Sequence, residues 1–509
     1  MKRIIAVILS ITLCCCFSGC GEKKADKDTA SSKPKNNSSK TDSKTEENYD
    51  STIEVNLNFD DYYQLENAEK IDIKDKKVFK CDYMTKTLHA VDITDKPSEV
   101  AVTTADGQKI LYKISVAKSK INIVIVAGQS NAAGEITGIP EEAKKYTQAL
   151  CDSATTFMWN QGTTVAPTAF AGGGLGQNGQ GTGICSSFAR QWTEQLADSG
   201  KNEKVVFVFA KNHTATAGIT LEQYMDDNST YASVKKTVDV VNKCYDYYEK
   251  GAGSKGYDIV SCGMYWFQGE GNGNSEAQDY YNKFSTAWSR IKSGTNNRVK
   301  YCGIMRVRIK SGGTLAVSNS VLAQFKLAND FDDIYMASTL TEFLNKGLND
   351  IVTLNVSNYK VVDETQYASI VSGNILTEKQ GNIYGGLHYS QLGFNLLGAD
   401  AAYNMLRALY QPSDNATLVD ANGNRIANVN FGSSANVKLS DLNANLYAYM
   451  DVGSSGKAVK ISVMSGGSDI TSTVTDPDFM LNLSKIKSAE NVKIVLTANG
   501  KTATFNIVK

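Results

Sequence analysis

The chain has 509 residues, too many for one compact core, so several domains are expected. Its 42% apolar and 21% charged residues suit a globular protein, and 6 prolines with 41 glycines exclude a fibrous or wholly disordered chain. Lys+Arg 53 balance Asp+Glu 53, which leaves no basic surplus to displace counterions from phosphates, so nucleic acid is not an expected partner.

Residues 1–20 read as an address. Lys2 and Arg3 precede an apolar run, Ile4 to Phe17, of signal-peptide length and too short to span a bilayer comfortably. Phe17-Ser18-Gly19-Cys20 resembles a bacterial lipobox, in which the signal is cut and Cys20 is acylated, anchoring the protein to the membrane; an ordinary secretory signal would leave that cysteine incidental. Residues 21–50 are polar and charged with almost no apolar side chains, which predicts a disordered tether. Of the 10 cysteines, three leave with the signal and Cys20 takes lipid; the remaining six show no C-x-x-C spacing, so they read as small buried hydrophobes, with a disulfide or two left open.

Residues 51–118 alternate as strands do ("STIEVNLNF", "KIDIKDKKVF"), and Asp106-Gly107 marks a hairpin. Residues 413–509 repeat the style, in "NVKLSDL", "NLYAYMDV" and "AVKISVM", and end on a hairpin at Asn499-Gly500. Both flanks predict small all-β, immunoglobulin-like sandwiches; the similar hairpins are either a weak repeat or merely two terminal hairpins. Between them, residues 119–412 alternate continuous apolar runs ("INIVIVAG", "KVVFVFA", "YDIVSCGMYWF", "VKYCGIMRV") with helical patterns ("SSFARQWTEQLADSG", "YASVKKTVDVVNKCYDYYEKG", "AQDYYNKFSTAWSRIKSG"). That order predicts an α/β domain, a parallel sheet between two helix layers, with its site at the carboxyl ends of the strands.

Four segments carry candidate chemistry. In "INIVIVAGQSNAAGE", Ser130 follows the first buried strand, flanked by Gln129 and Asn131 as candidate substrate contacts; all are also turn residues. Gly183 precedes a helix, where its N–H can point at a developing negative charge, or it is a plain entry loop. "YWFQGEGN" places Gln268, an amide donor, and Glu270, a carboxylate, after another apolar strand. "GGLHYSQLGFNLLG" supplies His388 at the opening of the last helical pattern; His213, after "VVFVFA", is its rival, and His89 lies among the N-terminal strands. Trp159, Tyr224 and Trp266 are candidate platforms for sugar rings, or core.

Together these segments resemble the SGNH hydrolases, in the sialate O-acetylesterase and acetylxylan esterase branch, over roughly residues 121–408. "GQSN" looks like the nucleophile block, Gly183 the glycine block, "QGE" the third block and "LHYSQLGFNLLG" the histidine block, in the family's order. The resemblance implies an SGNH (flavodoxin-like) three-layer fold and removal of acetyl groups from acetylated carbohydrate without metal or cofactor. It implies Ser130 as nucleophile, His388 as general base, and an oxyanion held by the Ser130 and Gly183 N–H groups and the Gln268 amide. The acid expected three residues before the histidine is here Gly385, so Glu270 is the candidate third member, with a Ser–His dyad or a weakened enzyme as alternatives. An α/β-hydrolase reading of "AGQSNA" gives Gln268 and Gly183 no role; a non-catalytic carbohydrate-binding lipoprotein on a degenerate scaffold is the rival of another class.

Overall fold

The computed structural model describes residues 48–509 except 135–154, 160–166, 170–182, 210–211, 274, 308–318, 339–387, 390, 411–414, 421–424, 451–459, 476–479 and 499. The address, Cys20, Gly385 and nearly all of the tether lie outside the described residues.

Seven strands open the chain: β1 (Ser51–Asn58), β2 (Tyr62–Gln64), β3 (Ala68–Ile73), β4 (Phe79–Asp82), β5 (Thr87–Ala90), β6 (Ser98–Thr104) and β7 (Lys109–Ala117). They form two sheets, β1-β7-β6-β3 and β2-β5-β4, over a core that includes Phe79, Leu88, Val100, Val102 and Ile114. The strict alternation of buried residues in β6 is the period-2 pattern made physical. The hairpin at Asp106-Gly107 forms as read, with Gly107 at φ +84.

The α/β domain holds β8 (Ser119–Gly128), β9 (Thr156–Trp159), β10 (Pro167–Ala169), β11 (Glu203–Val208), β12 (Tyr257–Phe267), β13 (Tyr301–Met305) and β14 (Ile334–Ser338) in the order β10-β9-β11-β8-β12-β13-β14. Six of these run parallel, and β10 is an antiparallel edge. β8 is buried along all its length except Lys120, because helices cover both faces, and this explains why its sequence is continuously apolar. On one face lie α1 (Cys185–Asp198) and, late in the chain, α6 (Gln391–Tyr410), which bury Phe188, Trp192, Leu196, Phe394, Leu397 and Met405 against Val124, Val126 and Phe207. The other face is covered by α3 (Val234–Glu249), α4 (Ala277–Gly294) and α5 (Asn319–Asp330), with the one-turn helix α2 (Leu221–Met225) before them. The chain builds β9 and β11 on one side of β8 and then crosses to β12, β13 and β14 on the other. The strand order therefore reverses around β8, and the crevice of such a sheet opens at the carboxyl end of that strand.

The C-terminal flank comprises β15 (Asn415–Asp420), β16 (Arg425–Asn430), β17 (Ser434–Lys438), β18 (Leu446–Met450), β19 (Lys460–Ser465), β20 (Ser468–Asp469), β21 (Met480–Leu481), β22 (Val492–Ala498) and β23 (Lys501–Val508), in sheets β16-β15-β18-β21 and β17-β23-β22-β19-β20. The two flanks share an arrangement. In each, an early strand runs parallel to the last strand, which forms a hairpin with its predecessor, which in turn pairs antiparallel with an earlier strand. That shared order favours a repeat over two coincidental hairpins.

The N-terminal flank is fastened to the amino-end side of the central sheet. Only Lys118 separates β7 from β8. The Asp60 carboxylate accepts from His89 Nε2 at 2.5 Å and from the Tyr257 hydroxyl at 2.6 Å. Burial raises the Asp60 carboxyl, but the His89 and Tyr257 hydrogen bonds and the nearby Lys204 charge outweigh it and hold it below the usual range. Lys204 on β11, with its side chain 2% exposed, pairs with Asp61 at 2.9 Å. Asp61→Ala removes the carboxylate facing this buried ammonium and is expected to cost about 3 kcal/mol in urea unfolding. The Asp61→Ala/Lys204→Met double variant is expected to recover part of that loss; equal losses would show that the pair holds nothing.

None of Cys81, Cys185, Cys244, Cys262 and Cys302 forms a disulfide, and all but Cys81 are buried, as small hydrophobes are. Cys151 lies outside the described residues.

Candidate active site

The site begins where β8 ends. Gly128 sits at φ +137, and a Cβ there would lie 2.2 Å from the Phe267 carbonyl oxygen, so only glycine lets β8 and β12 stay together at this point. The chain then turns: the Gln129 N–H donates to the Phe267 carbonyl at 3.0 Å, and the Ala133 N–H closes back on the Gln129 carbonyl at 2.9 Å. Ser130 is carried on this turn at the sheet's carboxyl end, 6% exposed.

Gly183 lies against the same turn. It has φ +54, and a Cβ on it would stand 2.9 Å from Gly134 Cα and 4.0 Å from the Asn131 carbonyl. A side chain there is excluded twice, by strain and by space, and the backbone of the helix entry therefore reaches the serine loop. The histidine segment is positioned from two sides. The Tyr389 ring lies nearly parallel to Phe267 with centroids 6.2 Å apart and meets Phe394 at 5.5 Å. Gly398 of α6 packs so closely on α1 that a Cβ would fall 2.4 Å from the Ile184 carbonyl. His388 thus stands one residue from a ring seated on the last residue of β12. Among the described residues the Ser130 hydroxyl donates to no imidazole; such bonds in serine enzymes commonly tighten only when substrate binds.

The third block is held by its neighbours. The Gln268 carboxamide donates to the Ile219 carbonyl at 3.1 Å and to Asn272 Oδ1 at 2.7 Å, while its oxygen accepts from the Tyr280 hydroxyl at 3.0 Å. Its two N–H bonds are both taken and the residue is fully buried, so this arrangement leaves no amide hydrogen for the oxyanion role expected of it. Glu270 Oε1 accepts from Asn131 Nδ2 at 2.8 Å, across from the serine loop. Asn272, unnoticed in the sequence although it is two residues further on, accepts from the Leu221 N–H at 2.8 Å and donates to Glu222 at 3.0 Å. Burial raises the Glu222 carboxyl, but the Lys283 hydrogen bond, its own backbone N–H and Asn272 bring it down to about 2.

Five further expectations are corrected. Trp159, Tyr224 and Trp266 are at most 2% exposed, so none presents a face to a sugar. Trp159 packs on Tyr247, Tyr224 on Trp266, and the Trp266 indole donates to the Tyr280 hydroxyl at 3.1 Å. Gln129 and Asn131 are buried as well, and both bind the Glu270 turn rather than face solvent. Trp266→Ala is expected to cost about 3–5 kcal/mol of stability by leaving a cavity, with KM unchanged in the protein that remains folded; a raised KM at unchanged stability would restore the platform reading. His213 is exposed, and its carbonyl accepts from the Ser233 N–H and the Thr237 hydroxyl at the start of α3.

A buried serine at the reversal point of a mainly parallel sheet, with glycine backbone closing on its loop, is consistent with an α/β hydrolase-like domain. Residues 120–344 match the family described as "carbohydrate esterase, sialic acid-specific acetylesterase", which supports an SGNH-like carbohydrate esterase with carboxylic ester hydrolase activity. The match covers Ser130, Gly183, Gln268 and Glu270 and ends before His388. No curated protein matches the chain. Similar solved structures include a protein from Arabidopsis thaliana, 15% identical, covering 57% of this chain and 98% of its own at a TM-score of 0.35. Another is a carbohydrate acetylesterase from Xanthomonas citri, 17% identical, covering 53% of this chain and 63% of its own at 0.25.

Proposed function

We propose that this protein is a serine esterase that removes O-acetyl groups from carbohydrate through an acyl-enzyme, held at the outer face of the bacterial membrane by lipid on Cys20. The observation that supports the reading is the close approach of Gly183 to the Ser130 loop, where a Cβ would stand 2.9 Å from Gly134 Cα. In the reaction, Ser130 Oγ attacks the acetyl carbonyl and its proton passes to His388. The Ser130 and Gly183 N–H groups hold the oxyanion, each worth about 10²–10³ in rate in comparable sites. His388 then protonates the departing sugar oxygen, and water, activated by the same imidazole, releases acetate. Glu270 is the acid in place of the one missing at Gly385, and its position beside the serine loop supports that role.

The family description supports acetylated sialic acid as the first substrate to try, with acetylated xylan as the comparison. The mature protein is expected to release acetate from one of them in a Ser130-dependent manner; no release from either, or release unaffected by Ser130→Ala, would defeat the reading. Labelled palmitate should enter the wild-type protein and not Cys20→Ala. The β flanks fit immunoglobulin-like sandwiches, which the parallel pairing of an early strand with the last one supports.

A further inference from the structure

We propose that Gln129 is a positioning residue: its carboxamide oxygen staples the turn bearing Glu270 to the loop bearing Ser130. One oxygen, Gln129 Oε1, accepts the N–H of Gly269 at 3.3 Å and the N–H of Gly271 at 3.1 Å, the residues immediately before and after Glu270. A carbonyl oxygen has two lone pairs, and both go to this turn. The remaining contacts fix the turn from behind. The Gln268 carbonyl accepts from the Tyr280 hydroxyl and from Gln324 Nε2, each at 2.9 Å, and the Gly269 carbonyl accepts from the Ser320 hydroxyl at 3.0 Å. With the backbone so held, the Glu270 side chain is aimed by Asn131 Nδ2 at 2.8 Å. The residues on either side of the serine thus set the carboxylate, one through the backbone around it and one through its oxygen. Gln129 touches no reacting atom; it acts through Glu270. Without the staple, two amide donors lose their acceptor, which costs enough to relax a short glycine-flanked turn.

The inference rests on the role given to Glu270 above, and a mutant cycle keeps the two separable. Gln129→Ala is expected to lower kcat on 4-nitrophenyl acetate by about 10²-fold, as a misplacement of about 1 Å does, with KM within about twofold. Glu270→Gln is expected to lose about 10²–10⁴-fold. The double variant is expected to stay within about threefold of Glu270→Gln, because a residue acting only through Glu270 has nothing left to position. Gln129→Glu, which keeps an oxygen where the two N–H groups converge, is expected to retain kcat within about tenfold of wild type. Losses that multiply in the double variant, a Gln129→Ala protein with wild-type kcat, or a folded Gln129→Glu that falls beyond that tenfold, each overturn the staple alone. A Glu270→Gln protein with wild-type kcat overturns the role of Glu270 and the staple with it. If Gln129→Ala does not fold, Gln129→Met, which fills the volume without an acceptor, takes its place in the cycle with the same outcomes.

Discussion

Ser130→Ala is expected to abolish acetate release, with kcat lower by about 10⁴-fold or more and the fold intact. The loss is large because the covalent route ends with the hydroxyl, and the donors around it then have only a bound ester to polarise. The fold should survive because the loop does not depend on the hydroxyl. Gly128, the Gln129 N–H and the Ala133 N–H form the turn through backbone alone, and Gln129 and Asn131 tie it to the Glu270 turn. Kinetics on 4-nitrophenyl acetate, with a thermal melt beside them, check both halves. Activity within tenfold of wild type in a folded Ser130→Ala protein would place the nucleophile elsewhere and leave the arrangement at the end of β8 without a chemical role.

His388→Ala is expected to lower kcat by about 10³–10⁴-fold, while His213→Ala stays within about threefold of wild type. The contrast follows from how each histidine is used. His213 contributes its carbonyl to the start of α3, and alanine supplies the same carbonyl. His388 is followed by Tyr389, whose ring seats on Phe267, the last residue of β12 and the neighbour of the third block. His89, the remaining histidine, stacks on Tyr62 with centroids 4.3 Å apart and bonds Asp60, on the flank that meets the opposite end of the sheet. Full activity in His388→Ala together with loss in His213→Ala would reverse the assignment.

Most of the fold was legible because burial on two faces writes itself as unbroken apolar sequence. β8, β11 and β12 announced themselves in this way, and α1, α3 and α4 by apolar residues three and four apart. β14 and α5 were not singled out: β14 is short, and α5 carries Ser320 and Gln324 inward, polar side chains that interrupt the apolar stripe because they bond the backbone of the third block. The aromatic candidates misled for a related reason. Trp159, Tyr224 and Trp266 have the size that a sugar platform needs and equally the size that a core needs, and a sequence does not say which way a side chain points.

What the sequence determined by itself was the order of strands and helices and the residues following each buried strand, because local periodicity and glycine-rich strand ends are one-dimensional signals. Only the tertiary structure decided which polar groups remain available for chemistry. Gln268 has the composition of an oxyanion donor, yet its hydrogens go to Ile219 and Asn272; Gln129 has that of a substrate contact, yet its oxygen goes to Gly269 and Gly271. A carboxamide has a fixed number of hydrogens and lone pairs, and what they meet depends on residues brought close by folding, 140 positions away for Gln129 and Gly269.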